Sequence, residues 1–133
     1  MGKIEGWERL LLAEIERWQH LSFEWGSADC LGFCIACRKA LTGQTWQLPA
    51  YNSEPGAARQ LLKLGFNSVE DLVSSEFQEI AVMRAARGDW VMRDAPGLTP
   101  GAFGVVTGRN AAFFSEDGIL SIPVIGSIRA WAI

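Results

Sequence analysis

The chain has 133 residues, of which 49% are hydrophobic and 20% charged, and its net charge is -3. This length and composition are typical of one globular domain and exclude a disordered chain. The only adjacent pair of basic residues is Arg38-Lys39, so nothing in the sequence supports a nucleic-acid-binding surface. The longest apolar runs span a few residues, far short of the ~20 that cross a bilayer, and we expect no membrane segment.

The start of the chain, Met1-Gly2-Lys3-Ile4-Glu5, has no apolar run of the kind that a secretory signal requires. We therefore expect synthesis in the cytoplasm, where thiols stay reduced. The chain has three cysteines, and this odd number argues against a full disulfide framework.

Four helices are predicted in the first part of the chain. In the first, apolar residues recur at helical spacing and the charged residues lie mostly on the other side. The second has Ser27 or Asp29 as a candidate N-terminal cap, and Gly43 where a helix commonly ends. Pro55 stands at the start of the third helix, and Ser68 caps the fourth. The four predicted helices cover residues 7–20, 29–42, 55–64 and 68–75.

After residue 87 the sequence changes to short apolar segments, separated by turn signals such as Pro96-Gly97 and Asp117-Gly118. These segments predict five strands, at residues 89–93, 102–107, 111–114, 118–123 and 128–133. N-terminal helices packed on a C-terminal antiparallel sheet, or on a small half-barrel, define the α+β class. We expect one domain over residues 1–133, with its helical part at about 5–80 and its sheet part at about 88–133.

Three cysteines lie within eight residues, and their spacing invites a metal interpretation. An iron–sulfur cluster can use three cysteines, but they lie in a loop, whereas the residues after Cys30 continue a helical pattern to Leu41. A zinc site would need a fourth ligand, and the only histidine, His20, is ten residues upstream. We expect no metal and no other cofactor, and keep a metal site of Cys30, Cys34 and Cys37 as a third interpretation.

The three cysteines would share one face of a helix, but only Cys30 would occupy the N-terminus. There the helix dipole and the free backbone N–H groups favour the thiolate. Cys34 and Cys37 lie among apolar residues inside the helix and are predicted to be core residues. Cys30 is therefore the candidate nucleophile, although a small buried residue at a helix start would look the same.

Three segments of the sequence follow, in order, the motifs of one family. Residues 23–33, FEWGSADCLGF, resemble the nucleophile segment of the NlpC-type (papain-like) cell-wall cysteine peptidases, in which an Asp-Cys pair opens a helix. Residues 87–91, RGDWV, resemble the Gly-Asp start of that family's first strand. Residues 102–108, AFGVVTG, resemble its strand pattern His-x-Gly-apolar-apolar-x-Gly. The resemblance extends over about residues 20–131, is greatest to a branch associated with phage and prophage tails, and implies a papain-like fold.

The resemblance assigns roles to particular positions. Cys30 stands at the nucleophile position, but Ala102 stands where the family has its catalytic histidine. The third, polar position of the family falls near residues 111–113, which are apolar. Without an imidazole, no group takes the thiol proton or later protonates the leaving amine. His20 ends the first predicted helix and is expected at the surface, where it would not replace the missing histidine.

Three further residues are expected to form a binding surface beside Cys30. Trp25 either lines the cleft or packs the turn against the first helix. Asp29 is expected to cap the second helix rather than to act as an acid. Phe103 follows Ala102 along the predicted strand and is the third candidate binding residue.

Two functions follow from the resemblance. The first is a non-catalytic binding or structural module of phage or prophage origin, which acts in tail assembly or cell-wall contact. Its partners would be phage tail proteins or peptidoglycan peptides, and the protein would be incorporated into a phage particle. The alternative is an active cysteine hydrolase, a peptidoglycan endopeptidase or amidase, that uses Cys30 with a base outside the family pattern.

Overall fold

A computed structural model describes residues 2–94 and 102–133 of the chain, and the predicted Pro96-Gly97 turn lies outside these residues. The four helices are α1 (Trp7–Trp18), α2 (Cys30–Thr42), α3 (Glu54–Lys63) and α4 (Val69–Glu76). The strands are β1 (Gln78–Ile80), β2 (Trp90–Arg93), β3 (Ala102–Val106), β4 (Asn110–Ser115), β5 (Gly118–Pro123) and β6 (Arg129–Ala132). None of the described helices is long and apolar enough to cross a membrane.

Side-chain caps determine where three of the helices begin. Asp29, Ser53 and Ser68 each accept a hydrogen bond from the backbone N–H three residues further along the chain. Helix α2 ends at Gly43, whose φ of 77° is the left-handed conformation that glycine adopts at little cost. The sequence therefore predicted α2 to within one residue. Helix α1 is shorter than predicted and ends at Trp18.

The strands form one sheet in the order β1-β6-β2-β3-β4-β5, and every neighbouring pair is antiparallel. The predicted α+β class, with N-terminal helices and a C-terminal antiparallel sheet, is confirmed. Strand β1 was not predicted. It contains only Gln78, Glu79 and Ile80, and glutamate is depleted in strands, so its conformation depends on its pairing with β6.

Helices α1, α2 and α4 pack on one face of the sheet. Alternate residues of the strands point towards them, so Trp90, Val105 and Trp131 belong to the main core together with residues of α1 and α2. The intervening residues, among them Val91 and Val106, form a smaller apolar cluster on the opposite face. Helix α2 packs directly on β3 and β4. This packing brings the start of α2 to the start of β3, where the predicted site residues lie.

Asp89 has a structural role away from that region. Its carboxylate is buried and accepts hydrogen bonds from the backbone N–H groups of Ala86, at 2.9 Å, and Ile133, at 3.1 Å. It thereby ties the turn before β2 to the last residue of the chain. Gly88, at a φ of 96°, makes that turn possible and donates to the carbonyl of Val106 at 2.8 Å. The Gly-Asp pair in residues 87–91 is therefore a turn that starts β2.

Candidate functional site

A tight turn delivers Cys30 to the first position of α2. Gly26 lies in this turn at a φ of 88°, and a Cβ atom added there would be 1.7 Å from the carbonyl oxygen of Tyr51. Any other residue would therefore clash with the backbone of the loop between α2 and α3. The glycine that follows Trp25 is required because the two segments come this close.

Asp29 holds the turn, the helix and the loop together. Its carboxylate accepts hydrogen bonds from the N–H of Gly26 at 3.0 Å, the N–H of Gly32 at 2.8 Å and the hydroxyl of Tyr51 at 2.5 Å. The side chain is only 2% exposed. The expectation that Asp29 caps α2 is confirmed, and the carboxylate is engaged within the protein.

A cavity of about 490 Å³ opens beside Cys30. All five site residues predicted from the sequence line this cavity, which we call the Cys30 cavity: Trp25, Asp29, Cys30, Ala102 and Phe103. The start of α2 and the start of β3 form one side of it. The loop before α3, the inner faces of α3 and α4, and the end of β4 form the remainder.

Aromatic rings form an ordered wall of the Cys30 cavity. Phe23 and Trp25 meet edge to face with ring centroids 5.2 Å apart, and Phe23 stacks on Phe114 at 6.0 Å. Such pairs stabilise each other's orientation, by about 0.5–1.5 kcal/mol each. Trp25 was expected either to line a cleft or to pack the turn against the first helix, and the structure places it in the lining of the cavity, against Phe23.

Burial raises the pKa of the Cys30 thiol to about 11. Loss of solvation is the main cause and the nearby Asp29 carboxylate adds to it, while a backbone hydrogen bond from Phe103 acts in the opposite direction. The helix N-terminus was expected to favour the thiolate, but here desolvation outweighs the dipole. The thiol is therefore protonated at neutral pH. Burial also raises the pKa values of Cys34 and Cys37, which are fully buried as predicted.

A family model described as a domain of unknown function, DUF6950, matches residues 2–133. The chain belongs to the DUF6950 family. The match includes the helices, the sheet and every residue of the Cys30 cavity. No curated protein matches the chain.

The single histidine of the DUF6950 domain lies outside the Cys30 cavity. His20 follows α1, its side chain is 75% exposed, and its Nε2 atom is 3.4 Å from the carboxylate of Glu16. The chain has no other histidine, so no imidazole lines the cavity. The resemblance to NlpC-type peptidases suggested the third, polar position of their catalytic group at residues 111–113. In the structure these residues pair with residues 104–106 and are buried. Neither His20 nor residues 111–113 place a histidine or a polar side chain beside Cys30.

The three cysteines follow one face of α2, with Cys30 partly exposed and the other two fully buried. Within residues 2–94 and 102–133, no group of three or more Cys, His, Asp and Glu side chains is placed to hold a metal ion. The third interpretation, a metal site of the three cysteines, has no geometric support in the described part of the chain.

Several residues of the cavity were not predicted from the sequence. Tyr51 is the chain's only tyrosine and lies in a loop that gave no helix or strand signal. Burial, with the Asp29 carboxylate adding to it, raises the pKa of Tyr51, so its hydroxyl remains a hydrogen-bond donor. Glu116 and Asp117 lie in the predicted turn between β4 and β5. The turn was recognisable, but its position at the cavity depends on how the sheet packs against the helices.

Proposed function

We propose that this DUF6950 domain is a non-catalytic binding module on a papain-like scaffold of the NlpC type, and that the Cys30 cavity is its binding site. The observation that carries the proposal is that an alanine, Ala102, lies with Cys30 at the cavity where the resembled family has its histidine. Both residues line one cavity, and no imidazole lines it with them.

The chemistry of a cysteine hydrolase needs a base that takes the thiol proton and an acid that protonates the leaving amine. Ala102 does neither. With a thiol pKa of about 11, roughly one molecule in ten thousand carries a thiolate at pH 7. The Asp29 carboxylate, which already accepts three hydrogen bonds, anchors the helix and is not a free base. The alternative of an active hydrolase therefore has no imidazole in the cavity to act as the base that the family uses.

The cavity itself supports a binding role. Small-molecule sites commonly have volumes of about 300–1,000 Å³, apolar walls and a few polar groups. The Cys30 cavity has about 490 Å³ and walls built largely of aromatic and aliphatic side chains. A buried anchor at Asp29 and stacked rings hold its walls in place, so a ligand would meet a preformed surface.

The resemblance to a branch associated with phage and prophage tails supplies the biological setting of the proposal. In that setting the domain acts in tail assembly or in contact with the cell wall, with tail proteins or peptidoglycan peptides as partners. It is made in the cytoplasm and is then incorporated into the particle.

A gain-of-function experiment tests the assignment of Cys30 and Ala102. We expect Ala102→His to give weak Cys30-dependent cleavage of a γ-glutamyl-diaminopimelate peptide, about tenfold or more above the native protein, because a positioned base typically contributes ~10²–10⁴-fold. Ala102→Asn is the matched control, since asparagine is polar but transfers no proton, and Ala102→His combined with Cys30→Ala removes the nucleophile. Native turnover equal to that of Ala102→His, and lost in Cys30→Ala, would overturn the proposal in favour of an active hydrolase.

A further inference from the structure

We propose that the Cys30 cavity takes a small apolar ligand that carries a positive charge, such as an alkylammonium ion. This inference rests on the proposed binding function and adds the chemical class of the ligand. Three properties of the cavity carry it: an apolar interior, inner polar groups that already have partners, and charged lining residues of one sign.

The interior would accept an apolar body. Its lining includes aliphatic side chains from the loop before α3, from α3 and the residue that follows it, and from α4, namely Leu48, Leu61, Leu64, Val69 and Leu72. Burying apolar surface against such walls contributes about 25 cal/mol per Å². A sugar or a hydrated ion would lose water contacts there without gaining hydrogen bonds.

The polar groups at the inner end are already paired with each other. The hydroxyl of Tyr51 donates to Asp29, and the Asp29 carboxylate also accepts from the two backbone N–H groups of Gly26 and Gly32. The Cys30 thiol beside them is neutral at pH 7. Asp29 also compensates the positive end of the α2 dipole. The inner end therefore offers no positively charged side chain to an anionic ligand.

The charge on the cavity wall has one sign. The charged residues in its described lining are all acidic: Asp29, Glu54, Glu116 and Asp117. No lysine, arginine or histidine lines the part of the cavity that the structure describes. Glu116 and Asp117 are exposed at the turn between β4 and β5, where their negative field reaches a ligand at the mouth.

The aromatic wall adds to the preference for a cation. Trp25 and Phe23 line the same cavity, and an ammonium group over an aromatic face gains about 0.5–1 kcal/mol at an exposed site. Such a ligand would place its apolar body against α3 and α4. Its positive charge would lie near the carboxylates of Glu116 and Asp117 and the ring of Trp25. A carboxylate in the same place would be repelled by the acidic turn.

Three probes with one alkyl chain test the inference: octylammonium, octanol and octanoate. We expect octylammonium to bind most tightly and octanoate most weakly, measured by calorimetry and by tryptophan fluorescence. In the double variant Glu116→Gln/Asp117→Asn, the affinity for octylammonium should fall about threefold to tenfold, the size expected for two exposed charge contacts. Glu5→Gln/Glu8→Gln changes the net charge equally, away from the cavity, and should leave the affinity unchanged.

A second pair of variants tests whether the probe occupies the Cys30 cavity. Ala57 lines the cavity and its neighbour Ala58 on α3 does not. Ala57→Phe should fill part of the space and weaken octylammonium binding about tenfold or more, whereas Ala58→Phe should leave it unchanged. Thermal unfolding of both variants checks that each remains folded.

The possible outcomes separate this inference from the proposed function. Equal or tighter binding of octanol or octanoate, still sensitive to Ala57→Phe, would overturn the charge preference and leave the binding cavity intact. Failure of all three probes to bind, or an equal loss in Glu5→Gln/Glu8→Gln, would also overturn the inference. The proposed non-catalytic function fails by a different result, peptide cleavage by the native protein that depends on Cys30.

Discussion

Cys30, Cys34 and Cys37 lie on one face of α2, but the two ends of this face have different surroundings. Cys34 and Cys37 are fully buried in the main core, where Trp18 and Phe33 meet with ring centroids 5.5 Å apart. Cys30, one turn earlier, lies beside a cavity of about 490 Å³. Helix α2 and the sheet are therefore in close contact around Cys34 and Cys37, and leave a cavity between them and α3 beside Cys30.

This difference shows that cysteines on one face of a helix have different surroundings according to their position along it. Protein interiors are normally packed to crystal-like density, and unfilled apolar space lowers stability. At the Cys30 end, Asp29 and the aromatic wall hold the space open. The packed end accounts for the stability of α2, and the open end is where a ligand has room.

The largest expected difference between the two ends is in thiol reactivity. Iodoacetamide should label Cys30 before Cys34 or Cys37, because only Cys30 is partly exposed. At pH 7.5 the thiolate fraction of Cys30 should be about 300-fold smaller than that of a free cysteine, whose pKa is about 8.5, and its labelling should be correspondingly slower. Because the pKa of Cys30 is raised to about 11, the rate should increase with pH until that value.

The rate of labelling at each cysteine is measured by mass mapping across pH 7–11. Circular dichroism at each pH checks that the protein remains folded. Cys30→Ala should remove the early label, and Cys34→Ala should retain it. Labelling of Cys34 or Cys37 before Cys30, or a midpoint below about 8.5, would contradict the account of the two ends.

A smaller difference is expected in stability. Cys34→Ser places a hydroxyl in a packed apolar core and should lower the free energy of unfolding by about 1–3 kcal/mol, as an unsatisfied buried polar group does. Cys30→Ser places the same hydroxyl beside a cavity and should cost less than about 1 kcal/mol, because water has access to it. Chemical denaturation of both variants gives the comparison. An equal loss at the two positions would mean that the Cys30 end is packed like the rest of the helix.

The sequence predicted the elements whose signals are local. Asp29 before Cys30 and Gly43 after the last turn predicted α2 almost to the residue, because a cap and a left-handed glycine act within a few residues. Strand β1 was missed because its three residues have no strand pattern and depend on pairing with a partner more than 45 residues away in the chain.

The residues of the candidate site also fall into two groups, those that the sequence predicted and those that it missed. The resemblance predicted that Cys30 and Ala102 lie together, and Trp25 was one candidate for a cleft beside Cys30; all three line the cavity. Tyr51 and the acidic turn at Glu116 were missed, because they reach the cavity only through tertiary packing. The prediction that the helix dipole favours the thiolate of Cys30 was also wrong. Desolvation by neighbours distant in sequence raises the pKa and outweighs the dipole of α2.

The most direct test of the central claim is the hydrolysis of a γ-glutamyl-diaminopimelate peptide by the native protein at neutral pH, with the product quantified by mass spectrometry. The Cys30→Ala variant, prepared and assayed in parallel, provides the background rate. We predict that the native protein releases no more product than this variant and forms no acyl adduct at Cys30, because Ala102 supplies no base and the thiol stays protonated. Product release by the native protein that Cys30→Ala abolishes would contradict the claim that the cavity binds without catalysis.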